Sequence, residues 1–130
     1  MTAASAEQYF SQNRLVAILR GLKPEEAEGH GAAIISAGWR CLEVPLNSPE
    51  PLKSIEILVK KFGDKALIGA GTVLTATDVE AVAKAGGKLI VAPNTDKEVV
   101  EAAMKLNMVV MPGVYIATEA FAAYKLGVRY

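Results

Sequence analysis

At 130 residues, 52% of them apolar, the chain has the length of one domain and enough apolar side chains for a real core. Fourteen acidic and fourteen basic residues cancel without a Lys/Arg cluster, which argues against nucleic acid as a partner, because phosphate binding needs a basic face. The single cysteine, Cys41, excludes an intramolecular disulfide framework and fits a reducing compartment. No apolar run approaches the ~18 residues of a membrane span, and residues 1–12 lack a signal-peptide pattern, so no membrane partner and a cytoplasmic setting are expected.

Residues 5–12 read as a short leading helix covering one end of the core. The apolar run at residues 15–19 then ends on Arg20. Pro24 followed by Glu25 and Glu26 predicts a helix start, since proline needs no amide partner there and acids suit the positive end of the helix dipole. That helix runs to Ala37 and stops at Gly38. Gly29 and Gly31 weaken its middle by roughly 1 kcal/mol each, which close packing against a sheet would justify. Cys41-Leu42 leads to Glu43. In the second helix Ser48 is the expected cap and Pro49 the opening residue, with Leu52, Ile55, Val59 and Phe62 as the apolar stripe before Gly63.

The run at residues 66–71 ends on Thr72. A third helix starts near Thr75 or Thr77, buries Val79 and Val82, and ends at Gly86-Gly87. The run at residues 89–93 reaches Asn94, and Thr95-Asp96-Lys97-Glu98 reads as a capping box with Val99, Ala103 and Met104 facing inward. Residues 108–111 lead to Pro112-Gly113. A fifth helix opens at Thr118-Glu119 and closes at Gly127, and residues 128–130 look like the start of a sixth strand. Continuous apolar runs are the mark of buried parallel strands, and one strand with its return helix takes roughly 20–30 residues. The pattern is α/β: repeated βα units in a single domain over residues 1–130. Periodicity leaves two architectures open, part of a TIM (β/α)8-type barrel with about five strands and the start of a sixth, or an open doubly wound sheet in the flavodoxin style.

Parallel α/β sheets bind ligands at the carboxyl ends of their strands, so the polar residues that end the runs are the candidates. Glu43 sits in an apolar stretch where ionisation is disfavoured, which suits a general acid or base; the competing reading is a strand-end glutamate paired to a neighbouring arginine. Arg20 can grip a carboxylate or phosphate in a bidentate fork, or simply pair with Glu43. Gly69-Ala70-Gly71-Thr72 lets a ligand approach the backbone, with the Thr72 hydroxyl and amide at the rim, or is only a tight turn. It completes neither a dinucleotide fingerprint nor a P-loop. Pro93-Asn94 and Pro112-Gly113 shape the next two rims. His30 reads as a helix-surface residue, Cys41 as a small core residue and Trp39 as a packing residue. No His/Cys/Asp cluster has metal-ligand spacing, so no metal is expected.

Four words stand in one order: Ala17-Ile18-Leu19-Arg20-Gly21, Leu42-Glu43-Val44-Pro45-Leu46-Asn47-Ser48-Pro49, Ile68-Gly69-Ala70-Gly71-Thr72-Val73-Leu74 and Pro112-Gly113. In these the chain resembles the class I aldolases that cleave 2-keto-3-deoxy-6-phospho sugar acids. The resemblance implies a trimeric (β/α)8 barrel that releases pyruvate and glyceraldehyde 3-phosphate through a lysine Schiff base, without metal or organic cofactor. It implies Glu43 as general acid/base, Arg20 and Thr72 as holders of the pyruvate carboxylate, and Pro93 as a wall of the pocket beside the imine. It also implies Asn47 as a substrate-binding residue; with Arg20 it matches the galactonate type, whereas gluconate-type members usually carry arginine at that position. The family's lysine would fall about two residues beyond Tyr130, and its phosphate cradle later still, so the 130-residue chain alone is expected to lack turnover. Two alternatives remain: a non-catalytic anion-binding or assembly module on an open sheet, and a 4-hydroxy-2-oxoglutarate or phosphogluconate-type aldolase.

Overall fold

A strand covered on both faces needs apolar residues at odd and even positions alike, and four of the five strands meet that demand. The computed structural model describes residues 8–10 and 14–130. Its strands are β1 (Ala17–Ile18), β2 (Cys41–Pro45), β3 (Leu67–Gly71), β4 (Leu89–Ala92) and β5 (Val109–Pro112). Between and after them lie helices α1 (Pro24–Ser36), α2 (Pro51–Phe62), α3 (Ala76–Lys84), α4 (Lys97–Lys105) and α5 (Ala117–Lys125). All strand pairs are parallel, and the order across the sheet is β1-β2-β3-β4-β5.

That sequential order separates the two architectures left open by the sequence. A doubly wound sheet reverses its strand order and carries helices on both faces. Here the even-numbered strand residues Leu42, Val44, Ile68, Ala70, Ile90 and Val110 pack with Ala27, Ile55, Leu58, Val79, Val82, Val99, Val100, Ala103 and Ala123, so all five helices lie on one face. The odd-numbered residues Cys41, Leu67, Leu89 and Val109 form a second, smaller cluster on the opposite face, closed at the amino ends of the strands by Tyr9, Phe10 and Val16. The sheet is thus an arc of a (β/α) barrel, and the flavodoxin-like alternative is set aside. Phe10 also stacks on Tyr130, ring centroids 4.7 Å apart, which ties the leading segment to the last residue of the chain. Of the leading helix expected over residues 5–12, residues 8–10 are helical and the rest lies outside the described residues. Residues 128–130 form no strand, although Val128 is buried.

Several local expectations are corrected by where polar groups find partners. Ser48 does not cap α2: its hydroxyl accepts the Gly21 amide at 3.0 Å, and the helix opens two residues after Pro49, at Pro51 behind Glu50. Thr95 likewise turns away from α4 and donates to the Gly113 carbonyl at 2.9 Å, leaving Asp96 to accept from the Glu98 and Val99 amides. The α2 stripe is centred on Ile55 and Leu58, with Leu52 exposed, and α4 buries Val100 rather than Met104. Ile18 is 60% exposed, because β1 is the sheet edge and pairs on one side alone.

The two glycines inside α1 differ. A β-carbon on Gly31 would come within 2.6 Å of Leu58 and 2.7 Å of Phe62, so this glycine admits α2, not the sheet, while nothing lies near Gly29. Replacing Gly29 with alanine is therefore expected to raise the unfolding free energy by about 0.5–1 kcal/mol, through helix propensity alone. Gly31→Ala should lower it by about 1–3 kcal/mol, since the α1–α2 contact must open. Urea unfolding of the two variants checks this; equal stabilisation by both would contradict the packing argument.

Candidate active site at the carboxyl ends of the strands

Register sets the inner face. Ile18, Glu43, Gly69, Leu89 and Val109 are neighbours in one row across the sheet, and partners in a parallel ladder share a face. Glu43 is the charged member of that row. It is 3% exposed, and its Oε2 is buried without a hydrogen-bond partner. Loss of water pushes its carboxyl pKa up from 4.5 to about 7, against the opposing pull of the Arg20 charge and a hydrogen bond from the Gly71 backbone. A carboxyl poised there can take up and release a proton near neutrality.

Arg20 follows β1 at the same rim. The direct Arg20–Glu43 ion pair offered as an alternative reading does not form: the ion pairs among the described residues are Lys53–Glu50, Lys61–Glu28 and Lys97–Glu101. Arg20 instead donates from Nη1 to the Asn47 Oδ1 at 3.3 Å, on the loop after β2, and acts on Glu43 through its field. With the Gly21–Ser48 bond, two hydrogen bonds hold the β1 and β2 rims together. Arg20 and Asn47 are both exposed, so most of the guanidinium fork remains open to an anion.

Thr72 leaves β3 with φ +56°, the left-handed region that a β-branched residue rarely enters. Such a backbone holds about 1–3 kcal/mol of strain and is retained where the surroundings over-determine it, typically at a binding or catalytic rim. Gly71, just before it, lies directly against the Glu43 carboxyl. Pro93 and Asn94 are exposed at the end of β4, where the Pro93 carbonyl packs against Gly113. The Thr95–Gly113 bond ties the β4 and β5 rims just as Ser48 ties those of β1 and β2.

Four of the five singled-out residues thus form one neighbourhood: Glu43, Arg20, Asn47 and Thr72, with Pro93 on the next rim along. Gly71, expected only to let a ligand approach the backbone, lies against Glu43, and Ser48 and Thr95, expected as helix caps, span between rims. The signal for Gly71 was its place two residues after Gly69, on the same face as Glu43. The remaining candidates behave as structural residues. Cys41 is fully buried, and burial pushes its thiol pKa up to about 11. His30 is exposed on α1, bonded to the Glu26 carbonyl, and Trp39 is half-buried. No strand carries a lysine, and all the lysines of the chain are exposed.

The chain as a whole is similar to known proteins. Residues 6–130 match the family model of the KDPG and KHG aldolases. A probable 2-dehydro-3-deoxy-6-phosphogalactonate aldolase from Rhizobium meliloti (strain 1021) is 54% identical over 113 residues, covering 87% of this chain and 53% of the relative. The 2-dehydro-3-deoxy-6-phosphogalactonate aldolase of Escherichia coli (strain K12) is 48% identical over 122 residues, covering 94% of this chain and 60% of the relative. A solved structure described as native KDPGal superposes with a TM-score of 0.86 at 50% identity, over 90% of this chain and 58% of that one. The chain therefore spans between half and two thirds of the length of the relatives it matches. With a family model matched over nearly its whole length, the chain belongs to the KDPG and KHG aldolase family.

Proposed function

We propose that the natural protein carrying this sequence is a class I aldolase that cleaves 2-dehydro-3-deoxy-6-phosphogalactonate to pyruvate and glyceraldehyde 3-phosphate. The observation that carries this reading is Glu43: a buried carboxyl with pKa about 7 on the inner face, beside an open guanidinium and a strained threonine. Both relatives at about half identity bear the galactonate name, and the Arg20–Asn47 contact agrees with the galactonate-type pairing.

In this reading a lysine amine condenses with the substrate ketone, and the resulting imine accepts the electron pair when the C3–C4 bond breaks. Glu43 carries the protons. As a neutral acid it assists loss of water from the carbinolamine; as a carboxylate it takes the proton from the C4 hydroxyl as the aldehyde leaves. Arg20 and Thr72 hold the pyruvate carboxylate, the first by a charge-assisted fork and the second by hydroxyl and amide. Asn47 orients Arg20, and Pro93 walls the pocket beside the imine. The exposed lysines of these 130 residues are unsuited to the nucleophile's part, which we assign to sequence beyond them, as we do the phosphate cradle. The resemblance also supports a homotrimeric, cytoplasmic whole protein needing neither metal nor organic cofactor.

Two outcomes follow from Glu43. In the natural full-length protein, Glu43→Gln should lower kcat by roughly 10²–10⁴-fold while pyruvate still forms a borohydride-reducible imine. Turnover at the wild-type rate would remove Glu43 from the chemistry.

The second outcome concerns stability of the 130-residue chain. Between pH 4.5 and about 7 the folded state keeps a proton on Glu43 that the unfolded state has lost. The contribution is complete below pH 4.5 and fades as pH rises through that window, by about 3 kcal/mol in all. Urea unfolding as a function of pH should reveal this decline in the wild type and its absence in Glu43→Gln. Parallel profiles for the two chains would mean that the carboxyl is not held neutral.

A further inference from the structure

We propose that Gly71 is a positioning residue for the Glu43 carboxyl: its bare α-carbon is the seat on which that carboxyl rests, and no other residue leaves room for it. The proposal rests on the aldolase reading only in that Glu43 is the proton carrier.

A β-carbon built on Gly71 meets Oε2, Cδ and Oε1 of Glu43 as its three nearest atoms, and no backbone atom is among them. The glycines with left-handed φ are Gly21, Gly38, Gly86 and Gly127, so the Gly71 backbone is open to any residue. Its lack of a side chain serves the carboxyl and not the chain's own path. Gly69, two residues earlier on the same face, is the contrast: a β-carbon there would strike the Leu89 carbonyl, so that glycine serves strand packing. Among the described glycines only Gly71 has a titratable group in its side-chain space.

Two consequences follow. The sheet side of the carboxyl is closed by Gly71, in whose side-chain space the carboxyl lies. The carboxyl is thereby held inward of the rim, where water is excluded and the Arg20 charge lies outside ion-pair distance. A methyl group at residue 71 must push the carboxyl toward the rim. Displacement by about an ångström is enough to spoil proton transfer geometry.

The test is a thermal double-mutant cycle on the 130-residue chain with Gly71→Ala, Glu43→Ala and the pair, alongside carbon-13 NMR titration of the Glu43 carboxyl. Gly71→Ala alone should lower Tm by roughly 5–10 °C. In the Glu43→Ala background the same change should move Tm by less than about 2 °C, because the colliding group is gone. In Gly71→Ala the Glu43 midpoint should fall by about one pH unit or more, as the carboxyl meets water. A Tm loss of equal size in both backgrounds, or a midpoint that stays near its wild-type value, overturns the proposal. If Gly71→Ala does not fold, recovery of folding in the double variant supports the collision, and failure of both refutes it. No substrate enters the cycle, so a failed aldolase reading leaves its outcome untouched, and a failed cycle leaves the aldolase reading standing.

Discussion

All five helices lie on one face of a sheet whose side chains alternate with period two, and that asymmetry divides the chain's residues between two environments. In β2 to β5 the even-numbered residues enter the large core under the helices, and in β1 Ala17 does. The odd-numbered residues of these strands face inward, where Cys41, Leu67, Leu89 and Val109 cluster and Glu43 shares a row with Leu89 and Val109. A shift of β2 by one residue would send Glu43 into the helix-packed core and Leu42 or Val44 to the inner face. The five-residue pairing of β2 with β3, from Cys41–Leu67 to Pro45–Gly71, fixes that choice.

Chemistry at the rim follows from competing electrostatic terms. Burial disfavours the Glu43 carboxylate, while the Arg20 charge and the Gly71 backbone favour it, and burial wins without suppressing ionisation altogether. A direct ion pair would have driven the carboxyl into its ionised form and occupied the arginine. Routing the guanidinium to Asn47 keeps both groups available. Strain at Thr72, about 1–3 kcal/mol by its backbone angle, sits at the same rim and is offset by the two-sided burial of β3. The hydrogen bonds that Ser48 accepts from Gly21 and Thr95 donates to Gly113 connect the loops in pairs, so the rim is braced between strands.

Much of this was legible in the sequence because burial writes itself into composition. β2 to β5 are continuous apolar runs since both faces are covered, and α3 begins at Thr75 because Asp78 lies where a capping box needs it. Glu43 was legible as a lone acid within such a run. What the sequence hid were choices between equivalent partners. Ser48 and Thr95 have the right chemistry for caps, and only the fold brings Gly21 and Gly113 close enough to claim them. Arg20 faced two acceptors, Glu43 and Asn47, and spacing could not rank them. The left-handed turn at Thr72 runs against the residue's own preference, and Gly71's use depends on a carboxyl 28 positions earlier. Strand order, which decides between a barrel arc and a doubly wound sheet, is a tertiary property that periodicity does not carry.

We propose that Glu43, Arg20 and Thr72 are the proton-carrying and carboxylate-holding part of a Schiff-base aldolase site whose lysine lies elsewhere. Pyruvate with borohydride, followed by intact mass spectrometry, tests it most directly. One reduced pyruvate adduct is expected on the natural full-length protein and none on the 130-residue chain. A stoichiometric adduct on the 130-residue chain, or none on the longer protein, would contradict it.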